Sequence, residues 1–234
     1  MEKKAERIQT SFLNGIEKKA LVWLASRQPR WVTSDMLTWT GTFGSVLIAL
    51  GYILSSFNVN WLWLSSFGLI VNWYGDSLDG TLARVRNTQR PTYGYYLDHT
   101  VDGINETLMF VGIGLSPFLN LYTALAMLVV YLQLTLNVSM NAHLKAEFKL
   151  TYAGLGPTEF RVITILLNTL LIFIKPWQQF ERVFTIFGKT VYAHALDYPG
   201  LAILAILLLV YFVTIWKDMR YYAKIDPMPK RKDE

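Results

Sequence analysis

The stretch Asp76-Ser-Leu-Asp79-Gly80-Thr-Leu-Ala83-Arg84, followed by Gly94-Tyr-Tyr-Leu-Asp98-His-Thr-Val-Asp102, sets four carboxylates inside a chain that otherwise reads as membrane. An ionised Asp near hydrocarbon costs on the order of several kcal/mol unless it has a partner, so four together imply bound cations or a polar cavity. On a helix, at about 100° per residue, Asp76, Asp79, Gly80 and Ala83 fall within roughly a 100° arc. Gly94, Asp98, Asp102 and Asn105 share one face of the next helix by the same arithmetic. With an Arg-rich turn around Pro91 between them, the two helices are predicted to form an antiparallel hairpin, carboxylate facing carboxylate.

The surrounding composition sets the solvent. The 234 residues are 53% hydrophobic and 17% charged, with a formal net charge of +5 and no Cys. Apolar content lies above, and charge below, the usage of soluble domains. Apolar runs at 36–55, 61–73, 108–118, 123–138, 162–174 and 201–216 approach the ~20 residues that span a bilayer, the shorter ones by taking in the polar residues beside them. The expected fold is an all-α integral membrane protein, a bundle of six transmembrane helices. The missing Cys excludes disulfides and thiolate chemistry. Met1-Glu-Lys-Lys-Ala-Glu-Arg opens a charged segment, not a basic stub followed by a short apolar region and a cleavage site, so no signal peptide is expected. Accumulation of Lys and Arg in cytoplasmic loops accounts for the basic balance without nucleic acid.

Three regions follow along the chain. Residues 1–30 read as an amphipathic juxtamembrane helix, with Ile8, Phe12, Ile16, Ala20, Trp23 and Leu24 at helical spacing over about 5–28, lying in the membrane interface. Pro29 ends it, and Thr33-Ser34-Asp35 offers a cap for the first span. Residues 31–225 form the six-helix domain and 226–234 a basic cytoplasmic tail. Basic residues at 84–90, at 143–161 and after Trp216 put those segments in the cytoplasm, with both termini and the carboxylates; the uncharged 55–60 and 116–122 lie opposite, and 175–198 is mixed. The acidic segment is not repeated, which disfavours a transporter built from inverted repeats.

Four converging carboxylates repel one another and take up protons unless cations neutralise them. Hard oxygen ligands select magnesium, manganese or calcium over zinc or copper. Two metals bridged by carboxylates suit displacement at phosphorus, and Arg84 adds a donor matched to a phosphate. The residues therefore point to phosphoryl-type chemistry at the cytoplasmic membrane face. Three other readings compete. A structural ion-pair cluster has only Arg84, Arg86 and Arg90 to balance four carboxylates, and leaves the spaced glycines unexplained. An ion-coupled carrier would distribute its carboxylates over several spans. An intramembrane prenyltransferase would place two Asp motifs in separate halves of a larger bundle.

The pattern Asp-x2-Asp-Gly-x2-Ala-Arg-x9-Gly-x3-Asp-x3-Asp from Asp76 to Asp102 resembles the signature of the CDP-alcohol phosphotransferases, with every signature position filled. The resemblance implies a phospholipid-biosynthetic transferase that moves a substituted phosphate from a CDP-linked donor to an alcohol and releases CMP. It implies two Mg2+ ions, or Mn2+ in their place, on Asp76, Asp79, Asp98 and Asp102, with Asp102 also the general base. It assigns Asp79, Gly80, Ala83, Arg84 and Gly94 to the CDP moiety, and implies a homodimer as the assembly. The compact, prokaryote-like chain favours CDP-diacylglycerol as donor and a bacterial inner membrane as location. A soluble CDP-alcohol with a lipid acceptor is the other arrangement.

Outside the signature, Gly156-Pro157-Thr158-Glu159-Phe160-Arg161 opens the fifth span. Arg161 suits a phosphate or carboxylate on the acceptor, and Glu159 suits orienting Arg161 or binding an amino group; Pro157 and Glu159 equally suit a plain helix start. His99 beside Asp98 resembles an Asp-His pair of the aminoalcohol branch, or is a solvent-facing His. His143, Lys145 and Lys149 are positive-inside residues or acceptor contacts. Thr38 and Thr40 face the nucleotide or bond their own helix.

Overall fold

The structure, a computed structural model, describes residues 6–8, 12–145, 147–149, 156–186 and 188–228. The expected charged start at 1–5 and the last six residues of the basic tail lie outside the described residues, as do the side chains of Lys145 and Lys149. The elements are β1 (Glu6–Ile8), α1 (Asn14–Arg27), α2 (Ser34–Leu54), α3 (Leu62–Val85), α4 (Pro91–Gly114), α5 (Leu121–Lys145), β2 (Glu147–Lys149), α6 (Pro157–Phe173), the short α7 (Lys175–Gln178), β3 (Glu181–Ile186), β4 (Lys189–His194) and α8 (Asp197–Ile225).

Each of the six expected spans coincides with one long helix, and local chemistry sets the ends. Thr33 caps α2, its side chain accepting from Met36 N at 3.2 Å. Asn87, at φ 55°, turns the chain out of α3, with Thr88 N bonded to Ala83 O at 2.9 Å. Pro91 and Pro157 start α4 and α6, where a missing N–H costs nothing. The apolar run at 108–118 is only the far half of α4: the helix starts at Pro91 and carries its carboxylates inward. Among the described residues α2, α5 and α8 are long and apolar enough to cross a membrane, whereas α3 and α4 reach 24 residues each by including polar residues and α6 has 17.

Backbone contact holds α2 to α3. A Cβ at Gly44 or Gly75 would overlap the backbone of Asn72 or Gly41, respectively, so these positions admit only hydrogen. Gly112 brings α4 against Ala49 of α2 in the same way. Around this trio α5 packs on α4, α8 on α5, α6 on α3, and α1 on α3. One apolar cluster, with Ile48, Tyr52, Leu62, Leu69, Phe118 and Leu171, fills the end away from the Asp residues. A second, with Leu21, Ala25, Leu37, Leu78 and Leu82, lies behind them. Leu78 and Leu82 thus bury the back of α3, and the carboxylate face turns the other way. Exposed Phe43, Phe67, Leu166, Ile206, Leu209 and Phe212 leave an apolar exterior suited to lipid.

Two departures from the sequence reading stand out, the start of α1 and a hairpin at 181–194. The helix expected over about 5–28 starts at Asn14, and Glu6–Ile8 is instead a strand paired in parallel with Glu147–Lys149. The stripe Phe12, Ile16 and Trp23 is 85%, 72% and 55% exposed, while α1 packs on the protein through its opposite face, Glu17, Leu21 and Ala25. The segment 175–198 departs from the all-α expectation: Glu181–Ile186 pairs antiparallel with Lys189–His194 around Gly188 at φ 75°. Alternating β-branched and aromatic residues, with a glycine free to adopt positive φ, favour a hairpin there. Asp197 ties that hairpin to α5, accepting from His194 N at 2.7 Å, Asn120 N at 3.1 Å and Thr123 Oγ1 at 2.7 Å.

Candidate active site

The alternation of helices brings the start of α2, the end of α3, the start of α4 and the start of α6 to one end of the bundle. Asp76, Asp98 and Asp102 converge there: each offers a carboxylate oxygen, and the three oxygens lie within 4.8 Å of one another. Arg161 of α6 reaches into the same cluster. Its Nη2 donates to Asp76 Oδ2 at 2.6 Å and its Nε to Asn72 Oδ1 at 2.9 Å. Asn72, fully buried one turn before Asp76, is held by its own donations to Gly41 O at 3.1 Å and Ser45 Oγ at 3.0 Å. A chain of hydrogen bonds therefore runs from the α2 backbone to the guanidinium.

Asp79 stands apart from that trio. Its Oδ2 accepts from Thr38 Oγ1 at 2.6 Å and its Oδ1 from Gly80 N at 2.5 Å, while its carbonyl accepts from Ser34 Oγ at 2.8 Å. One turn of α2 thus grips one turn of α3. Thr38, for which the sequence allowed two roles, bonds both Ser34 O at 3.2 Å and the Asp79 carboxylate. Thr40 donates to Met36 O of its own helix.

The small residues leave space beside the carboxylates. A Cβ at Gly94 would meet nothing within 4 Å, so packing does not require glycine there. At Gly80 the neighbour is Arg84, whose Nη1 lies 3.4 Å from where a Cβ would sit and whose Nη2 donates to Thr81 Oγ1 at 2.9 Å. Arg84 therefore folds over Gly80, and Ala83 is buried beside it. The other arginines of the turn are spoken for. Arg86 donates to Val32 O at 2.5 Å and to Gln28 O and Pro29 O at 2.8 Å, fastening the α1–α2 linker to the end of α3. Arg90 pairs with Asp35 at 3.1 Å and stacks on Tyr93.

Of the two residues proposed for the acceptor, only Arg161 joins the cluster directly. Glu159 spends Oε2 on Gly156 N at 2.9 Å, closing the start of α6, and Oε1 on Leu13 N at 2.8 Å, docking the start of α1. Glu17 makes the reciprocal link, accepting from Thr158 Oγ1 at 2.6 Å and Trp73 Nε1 at 2.9 Å. His99 is stacked on Tyr95, with ring centroids 3.9 Å apart, and its Nδ1 is 3.8 Å from Asp98 Oδ2. His143 is exposed at the end of α5.

Sequence reasoning missed Glu106, which continues the spacing Asp98, Asp102 along α4 and interacts electrostatically with Asp102 and Asp76. The i, i+4, i+8 series was the available signal. It also missed Asn72, for which no motif exists, because its partners come from α2 and α6.

Three carboxylates against one guanidinium leave excess negative charge at the cluster. Oxygen ligands from two rigid helices at this spacing fit a hard divalent cation, which would balance them.

Comparisons with known proteins place this geometry among relatives. A sequence model of the CDP-alcohol phosphatidyltransferase family matches residues 31–216. A phosphatidylinositol phosphate synthase of Cutibacterium acnes (strain DSM 16379 / KPA171202) is 37% identical over 84 residues, which cover 36% of this chain and 38% of that protein.

Proposed function

This chain belongs to the CDP-alcohol phosphatidyltransferase family, and from that premise we propose that it transfers a substituted phosphate from a CDP-linked donor to an alcohol, releasing CMP. The observation that carries the proposal is the convergence of Asp76, Asp98 and Asp102 within 4.8 Å, with Arg161 against Asp76. CDP-diacylglycerol is the favoured donor. The name of the Cutibacterium acnes relative puts an inositol phosphate first among the acceptors to test.

Asp76, Asp98 and Asp102, with Asp79 behind them, would hold two Mg2+ ions, Mn2+ substituting. When bound, such ions neutralise the donor diphosphate and the departing CMP. The protein's own groups do the rest. Asp102 takes the proton from the acceptor hydroxyl as its oxygen bonds the transferred phosphorus and the phosphorus–oxygen bond to CMP breaks. Arg84, folded over Gly80, donates to the donor's phosphates, and Gly80, Ala83 and Gly94 keep side-chain bulk off the nucleotide. Thr38 holds the Asp79 carboxylate in place. Arg161 supplies a cation for a phosphate or carboxylate on the acceptor. Glu159 serves that end indirectly, by fixing the turn from which Arg161 projects.

In the same reading, α2, α3, α4, α5, α6 and α8 cross a bacterial inner membrane, with termini and site facing the cytoplasm. The stripe Phe12, Ile16 and Trp23 of α1 rests in the lipid interface. Two copies of the chain form a homodimer.

The test incubates purified protein with Mg2+, labelled CDP-diacylglycerol and a panel of inositol phosphate, glycerol phosphate and serine, and measures CMP and the product lipid. CMP formation that is lost with EDTA and restored by Mg2+ supports the reading. Turnover only with a soluble CDP-alcohol and diacylglycerol would reverse the donor assignment. No CMP from either kind of donor would overturn it.

A further inference from the structure

Glu106 is a buried cost with no structural return in view. It lies on α4 one turn beyond Asp102, about 6 Å further into the bundle. Its Oε1 accepts from Thr135 Oγ1 of α5 at a long 3.3 Å, and its Oε2 is buried with no hydrogen-bond partner among the described residues. The Oδ1 of its neighbour Asn105 is likewise buried without one. A buried carboxylate oxygen left unpaired is destabilising, and an apolar side chain of the same volume would pack at less cost. Two buried acceptors on consecutive residues of α4 thus have no donor among the described residues.

Their surroundings indicate where those donors come from. Glu106 interacts with Asp102 and Asp76, and Tyr131 of α5 lies in the field of Glu106, Asp102, Arg161 and Asp76. Glu106, Tyr131 and Thr135 thus border the carboxylate cluster from α4 and α5, whereas Thr38 of α2 grips Asp79. Of the nucleotide-assigned residues, Gly80, Ala83 and Arg84 belong to α3, and Gly94 lies at the start of α4, about three turns before Glu106. A group bound at Asp102 on the α4–α5 side meets the Glu106 carboxylate, while the cation in that field, Arg161, is already paired with Asp76. An acceptor molecule that carries hydrogen-bond donors beyond its reacting hydroxyl, either further hydroxyls or an ammonium group, has the complementary chemistry.

On the reading of the reaction given above, we propose that Glu106, supported by Thr135, is a specificity-determining residue that binds a second hydroxyl or an ammonium of the acceptor and so sets the reacting hydroxyl against Asp102. A carboxylate accepts from a hydroxyl pair or from an ammonium equally well. The two acceptor classes are therefore separated by experiment.

The experiment uses full-length wild type, Glu106→Gln and Thr135→Val with Mg2+, CDP-diacylglycerol and, in separate arms, inositol phosphate, glycerol phosphate, serine and ethanolamine. Acceptor KM, donor KM and kcat are measured in each arm that turns over. Glu106→Gln keeps size but loses charge, and the acceptor KM is expected to rise about tenfold or more, as for a lost hydrogen bond to a charged group. Donor KM is expected to stay within about twofold, and Thr135→Val to raise acceptor KM about two- to fivefold. The arm with the largest rise names the donor group, hydroxyl or ammonium. Acceptor KM unchanged in Glu106→Gln, or equal losses for both substrates, would overturn the inference. If Glu106→Gln does not fold, Thr135→Val decides, with an unchanged acceptor KM overturning it. Failure of the wild type to release CMP strikes the reaction itself, whereas a turning-over wild type matched by its variants strikes only the role of Glu106.

Discussion

Replacing Thr38 by Val tests whether α2 is part of the site or merely a neighbour. The substitution keeps the shape and removes one hydroxyl, whose bond to Asp79 Oδ2 is 2.6 Å long with both residues 8% exposed. The Asp79 carboxylate then keeps the backbone N–H of Gly80 as its remaining donor among the described residues. A hydrogen bond to a charged group contributes about 1.5–3 kcal/mol, and losing it leaves the carboxylate under-satisfied in a buried place. That corresponds to roughly a 10- to 150-fold change in any equilibrium that requires an ionised, oriented Asp79. The assay is the Mg2+ concentration giving half-maximal CMP release at saturating donor and acceptor, expected to rise by that factor. Thr38→Ser, which retains the hydroxyl, should stay near wild type. Thr40→Val should change nothing measurable, because that hydroxyl bonds Met36 O of its own helix on an exposed face. If Thr38→Val requires no more Mg2+ than Thr40→Val, Asp79 is not held for metal binding and the reasoning fails.

Asp102→Asn keeps the size of the proposed base and removes its proton affinity, so CMP release should fall about 10²- to 10⁴-fold; a rate within tenfold of wild type would assign the base elsewhere. Gly75→Ala drives a Cβ into the backbone of Gly41 and Leu37, and should lower stability by about 1–3 kcal/mol or more in thermal unfolding. Gly94→Ala, with nothing within 4 Å of the new methyl, should unfold within about 0.5 kcal/mol of wild type while raising the donor KM. Arg86→Ala removes three donations to the carbonyls of Gln28, Pro29 and Val32. About 2–4 kcal/mol of local stability should go with them, read as faster proteolysis between α1 and α2.

Much of the site was legible because α-helical geometry is regular. Spacings of three and four put Asp76 with Asp79 and Asp98 with Asp102 on single faces, and long apolar runs set the number of long helices. Glu106 obeyed the same spacing and was there to be read. The hairpin at 181–194 was not, since its alternation is short and its charges resemble those of a loop. The docking of α1 was not legible either: its stripe Phe12, Ile16 and Trp23 is exposed, and the face that meets protein carries Glu17, whose partners Trp73 and Thr158 come from α3 and α6.

The sequence alone determined the class of the fold, the acidic hairpin and the family signature, because these depend on periodicity and residue type within one stretch of chain. Tertiary structure decided how the four aspartates divide. Three converge with Arg161, and Asp79 is drawn to Thr38. That division rests on the close approach of α2 to α3 through Gly41, Gly44 and Gly75, and on where α6 delivers a guanidinium. Contacts between segments 40 to 90 residues apart follow from packing, and no local spacing encodes them.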